Sequence, residues 1–70
     1  MTYNDDEALA AIRYEIDRNR RLKASIQQAS QVRDFENVAY ILRQMLHALG
    51  RQVDDFVSLV RRVMRRYQHS

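Results

Sequence analysis

The sequence predicts an all-α fold, and three of its features support that prediction. Glycine and proline, the residues that most often break regular structure, amount to one glycine among 70 residues. Most of the other residues are good helix formers, such as alanine, leucine, arginine and glutamine. Apolar residues also recur at steps of three and four, which is the spacing of one helix face.

The first helix is predicted from about residue 5 to about residue 30. Asn4 precedes it as the candidate N-cap, and Glu7 three residues later completes a variant of the capping box. The acidic first turn suits the positive end of the helix dipole. The apolar stripe of this helix is thin, and Asn19 interrupts it midway. A polar residue in such a seam often fixes register or partner number; the alternative is that Asn19 is half exposed.

The second helix is predicted from about residue 34 to about residue 68, with Ser30 and Asp34 as the candidate caps at the break before it. Its ten main apolar residues fall within an arc of roughly 80° at about 100° per residue. This phase carries through Gly50, so the pattern favours one continuous helix that contains Gly50 at a cost of about 1 kcal/mol. The alternative is a three-helix bundle with a turn near Gly50.

Two such helices would form a long antiparallel hairpin within a single small helical domain covering residues 1–70. The second stripe is wider than the first helix can cover, and each large side chain left in water would forgo about 1.5–3 kcal/mol. The sequence therefore predicts a homodimer that closes a four-helix bundle, or a partner protein that covers the same stripe. The residues assigned to this interface are Leu49, Val53, Phe56, Val60, Val63, Met64 and Tyr67.

The two halves of the chain differ in charge. Residues 1–36 carry seven acids and six bases, a net charge of −1, whereas residues 37–70 carry two acids and six bases, a net charge of +4. Near the end of the second helix, an electrostatic contact is predicted for Arg61, Arg62, Arg65 and Arg66. Three interpretations compete for this cluster: a solvated face at a helix C-terminus, contact with an acidic protein, and contact with nucleic acid or an anionic membrane.

The sequence offers no constellation typical of catalysis. Cysteine is absent, and the two histidines, His47 and His69, do not stand at a metal-ligand spacing. There is also no phosphate-binding loop, so we predict no catalytic, cofactor or metal site and expect a protein that is not an enzyme. No stretch has the length of a membrane span or the order of a signal peptide, which predicts a cytoplasmic protein.

These observations together predict a non-enzymatic protein–protein interaction module, such as a small helical adaptor, chaperone or regulatory subunit. It would use the apolar stripe of the second helix and the basic C-terminal helix end. The alternative is a small nucleic-acid-associated regulator that binds the phosphate backbone through the arginine cluster. Nucleic acid is the less favoured partner, because the net charge is only +3 and no nucleic-acid-binding motif accompanies the arginines.

Overall fold

The computed structural model describes residues 2–69, and these residues form helices without any strand. There are four helices in this part of the chain: α1 (Asp5–Asp17), α2 (Arg20–Gln31), α3 (Phe35–Leu49) and α4 (Phe56–Tyr67). The all-α prediction is therefore confirmed. The prediction of two long helices is wrong, because each of them is split, and the three-helix alternative also has one helix too few. Residues 1 and 70 of the predicted domain lie outside the described residues.

The first predicted helix is split at Asn19. The start of α1 is as expected, because Asn4 Oδ1 accepts a hydrogen bond from the Glu7 amide at 3.1 Å. At the split, Asn19 has an extended backbone, and its Oδ1 accepts from the Leu22 amide at 3.1 Å. Asparagine is among the best N-cap residues, because its side chain satisfies an amide that the first turn leaves without a partner. Asn19 therefore begins a new helix, and it does not set the register of a continuous one.

The connection between α2 and α3 is short and turns through Arg33. Arg33 adopts a left-handed conformation with φ of 57°, and the Asp34 amide donates to the Ala29 carbonyl at 2.9 Å. Asp34 then caps α3 by accepting from the Asn37 amide at 3.2 Å, as predicted. Ser30, the other candidate cap, is fully buried inside α2.

The second predicted helix ends at Gly50, which has φ of 64° in the left-handed region. The Arg51 amide closes this C-terminus by donating to the Leu46 carbonyl at 2.9 Å, an arrangement that glycine adopts without a Cβ penalty. After the loop, Asp55 caps α4 by accepting from the Ser58 amide at 3.0 Å. The apolar residues of α3 and of α4 both pack into one hydrophobic core. Apolar positions therefore recur on both sides of the loop although the helix is not continuous.

Helices α1 and α4 run side by side in the same direction. At their N-terminal ends, the Asp5 carboxylate accepts from the amides of Asp54 at 2.8 Å and Asp55 at 2.9 Å. At their C-terminal ends, the Tyr67 hydroxyl donates to Asp17 Oδ1 at 2.7 Å. These hydrogen bonds join the first helix to the last and bring their polar faces to one side of the molecule.

All four helices contribute to one hydrophobic cluster in a molecule that measures 35 × 21 × 17 Å over the described residues. The buried apolar residues of this cluster are Ala8, Leu9, Ile12, Ile16, Ile26, Ala29, Val38, Leu42, Leu46, Leu59, Val60, Val63 and Tyr67. Burial of such side chains provides the main favourable free energy of folding. The inner face of α4 is thus covered by the chain's own helices.

Candidate functional site

The most distinctive polar surface is an open groove between α1 and α4, which we call the arginine groove. Its volume is about 740 Å³, and it is lined by Arg13, Ser58, Arg62, Arg65, Arg66 and His69. The α4 residues 58, 62 and 65 or 66 follow steps of three and four and so share one helix face, and His69 follows in the turn after α4. Because α1 lies parallel to α4, Arg13 comes to the same groove from the other helix. Four arginines thus surround one open space.

Two groove arginines are paired with carboxylates of α1. Arg62 Nη1 lies 2.8 Å from Asp6 Oδ1, and Arg66 Nη2 lies 3.8 Å from Asp17 Oδ2. The Asp6 side chain is 83% exposed, and exposed ion pairs of this kind contribute about 0–1 kcal/mol to stability. These pairs therefore orient the two arginines more than they stabilise the fold.

The other two groove arginines, Arg13 and Arg65, have no carboxylate partner among residues 2–69. Neither forms an ion pair within 4.0 Å with any of the residues 2–69. Arg13 is half-buried, and its Nε is buried without a hydrogen-bond acceptor among the described residues. A buried donor left unsatisfied costs about 1–3 kcal/mol. The groove therefore contains two positive charges that no carboxylate of residues 2–69 neutralises.

The structure places three of the four predicted contact arginines in this groove. Arg62, Arg65 and Arg66 line it, whereas Arg61 is exposed on α4 and does not. Sequence reasoning missed the part played by Arg13, which lies about 50 positions away in the chain. No local pattern could have identified Arg13, because only the parallel packing of α1 on α4 brings it to the groove.

The predicted apolar interface is placed mostly inside the molecule. Val60, Val63 and Tyr67 are buried in the core. Val53, Phe56 and Met64 are half-buried and pack against that core, and Leu49 is 37% exposed. The reason for expecting a partner on the stripe, namely that it would otherwise face water, does not hold for the three buried residues. For the other four, a role in contact stays a prediction.

Tyr67 joins the core to the groove. Its ring is 2% exposed, and its hydroxyl donates to Asp17, the same carboxylate that faces Arg66. Burial of the phenol, followed by its hydrogen bond to Asp17, raises the pKa of Tyr67 above the usual value of 10.0. The neutral phenol is therefore the form that the fold stabilises.

A second, smaller cleft lies near the junction of α1 and α2. It measures about 340 Å³ and is lined by Glu15, Arg18, Asn19, Leu22, Met45, Ala48 and Leu49. Its lining mixes apolar side chains with one ion pair, Arg18 to Glu15 at 3.8 Å. This cleft carries no concentration of charge comparable to that of the arginine groove.

Comparisons with protein-family models, curated proteins and solved structures found no match to this chain. Residues 2–69 bring no three His, Asp or Glu side chains together in a group that could hold a metal ion. None of the helices in the same part of the chain combines the length and the apolar character that crossing a bilayer requires. The chemistry of the arginine groove is therefore the main guide to function.

Proposed function

We propose that this protein is a non-enzymatic interaction module that binds an acidic segment of a partner protein in the arginine groove. The observation that carries the proposal is the convergence of four arginines from two helices on one open groove. Guanidinium groups present planar donors that match the two oxygens of a carboxylate. A groove with this lining would attract and orient carboxylates.

An acidic protein suits the groove better than nucleic acid does. Asp6 and Asp17 stand beside the groove arginines, where they would repel a continuous phosphate backbone. Among residues 2–69, the groove lining contains no Phe, Tyr or Trp on which bases could stack, and its one ring is the imidazole of His69. A short peptide can place its few carboxylates near the arginines and avoid both aspartates, whereas a nucleic acid has a charge at every phosphate.

The proposal rests on the groove and not on the apolar stripe. The core covers Val60, Val63 and Tyr67 within one chain, so a second copy is not needed to bury them. Self-association through the exposed remainder of the stripe, such as Leu49, would be an additional property of the same module. Binding of the acidic partner in the arginine groove does not require this self-association.

A direct test is fluorescence anisotropy with a labelled twelve-residue glutamate-rich peptide and a labelled 20-base-pair DNA duplex. The groove variant replaces Arg13, Arg62, Arg65 and Arg66 with glutamine. The control variant removes the same charge from exposed arginines outside the groove, Arg20, Arg21, Arg33 and Arg61. Circular dichroism confirms that both variants keep their helix content.

We expect the groove variant to bind the peptide at least about tenfold more weakly, the effect of losing one charge-assisted hydrogen bond. The control variant should lose less than about threefold, because its charges act only at a distance. Equal losses in both variants would refute the proposal. Tighter binding of the duplex, falling steeply with added salt, would establish the nucleic-acid alternative instead.

A further inference from the structure

The four groove arginines are not equivalent in what they can offer a ligand. Arg62 already donates to Asp6 at 2.8 Å, and Arg66 faces Asp17 at 3.8 Å. A carboxylate that approaches either of these arginines also approaches the aspartate that holds it. The attraction between opposite charges and the repulsion between like charges then largely cancel.

Among residues 2–69, no carboxylate competes with an incoming group for Arg13 or Arg65. No ion pair joins either of them to the residues that the structure describes. They belong to different helices, α1 and α4, so they supply donors from both sides of the groove. Both arginines line the same groove from different helices, and neither is held by an ion pair within residues 2–69, so both can donate to one incoming anion.

Arg13 is also held in place before any ligand arrives. Its side chain is half-buried, and its Nε is enclosed by the protein. An arginine with a packed stem has fewer conformations to lose on binding than one that moves freely in solvent. The Ser58 side chain, which lines the same groove and is exposed, adds a neutral hydroxyl donor.

We infer that Arg13, Arg65 and Ser58 form a carboxylate-binding site inside the arginine groove, and that this site receives one acidic side chain of the partner. The inference rests on the proposed function and deepens it, because it states which groove residues hold the ligand. Arg62 and Arg66 then have a different role: with Asp6 and Asp17 they join α4 to α1 and shape the groove.

The experiment compares single glutamine variants of Arg13, Arg65, Arg62 and Arg66, with Arg61→Gln as the matched control outside the groove. Each is titrated with the glutamate-rich peptide by anisotropy. Arg13→Gln and Arg65→Gln should each weaken binding about tenfold, since each removes charge-assisted hydrogen bonds. Arg62→Gln, Arg66→Gln and Arg61→Gln should each weaken it less than about threefold, as expected for exposed charges that do not contact the ligand.

A double-mutant cycle sharpens the result. If Arg13 and Arg65 bind the same carboxylate, the loss of affinity in the double variant should be smaller than the product of the two single fold-losses. Ser58→Ala should weaken binding by a smaller factor, about twofold to tenfold, because it removes one neutral donor. If Arg13→Gln alters the helix content, the inference is tested by the Arg65→Gln and Ser58→Ala variants alone, because both side chains are exposed.

Losses at Arg62 and Arg66 equal to those at Arg13 and Arg65 would overturn this inference, while the groove would remain the binding surface. If the fold-loss of the double variant equals the product of the losses at Arg13 and Arg65, the inference that both arginines bind one carboxylate would be overturned. Failure of the proposed function looks different, because the variant that lacks all four groove arginines would then bind the peptide no more weakly than the control variant with four substitutions outside the groove does.

Discussion

Helix α4 has an apolar inner face and a basic outer face, and both are visible as patterns in the same stretch of sequence. Its inner face, with Val60 and Val63, is fully buried in the core of a single chain. Its outer face carries the groove arginines, which α1 only partly neutralises. An apolar pattern predicts that a helix face is covered, but it does not distinguish the chain's own helices from a partner protein as the cover. The charged face remains exposed, and its arginines without an ion pair among residues 2–69 are where we propose that a contact forms.

The largest expected effect tests the inner face. Val63→Asp would bury a charge without a partner and should lower the free energy of unfolding by about 3 kcal/mol or more. Urea unfolding monitored by circular dichroism measures this loss. The matched control is Val57→Asp on the same helix; because Val57 is 46% exposed, its effect should stay within about 0.5 kcal/mol. A Val63→Asp variant that stays fully helical but halves its mass in light scattering would mean that the inner face is a dimer interface after all.

A smaller loss of stability is expected from substitution of Gly50, which tests whether α3 ends there and α4 is a separate helix. Gly50 has φ of 64°, and a Cβ added there would meet no atom within 4 Å, so only backbone strain opposes a side chain. Gly50→Ala should therefore destabilise the protein by about 1–2 kcal/mol. Thermal unfolding checks this, with Gly50→Asn as a control that should lose less because asparagine tolerates the left-handed region. Stabilisation by alanine would instead indicate a continuous helix through residue 50.

The smallest effect lies at the boundary between the two faces. Tyr67→Phe removes the hydrogen bond to Asp17 and should cost about 1 kcal/mol at neutral pH. Since the folded state raises the pKa of Tyr67 above 10.0, the unfolded chain loses this proton first. The resulting stabilisation is complete below pH 10 and is lost as the pH rises through the higher folded pKa. Urea titrations above and below pH 10 should show that loss in the original protein and a flatter profile in Tyr67→Phe.

Sequence reasoning could predict the fold class and the first cap, because each of these depends on local composition or spacing. Asn4 and Asp34 are caps as expected. The sequence pattern does not predict the break at Asn19, although Asn19 interrupts the apolar stripe, and it gives a turn near Gly50 only as the alternative, since the apolar phase carries through Gly50. An asparagine that interrupts a seam and a lone glycine are each compatible with a helix interior, and the tertiary fold decides between the two outcomes.

The candidate site was predicted only on the side of α4. Three of its arginines lie close together in sequence and form a visible basic cluster, but the pairing with Asp6 and Asp17 depends on how α1 packs. Among residues 2–69, Arg66 has a carboxylate partner and Arg65 has none, and this distinction is likewise absent from the sequence pattern. The positions of the carboxylates, and not the number of arginines, define the proposed binding site.

The hydrogen bonds from Asp54 and Asp55 to the Asp5 carboxylate have a consequence for how the protein is made. Asp5 and Asp54 are separated by 49 positions in the chain, so α1 leaves the ribosome well before the helix beside which it finally lies. At about 5–20 residues per second, this interval lasts about 2–10 s. During that time the growing chain presents uncovered apolar surface, and the arrival of α4 both completes the core and assembles the groove. An incomplete product of synthesis would therefore lack the binding surface as well as the fold.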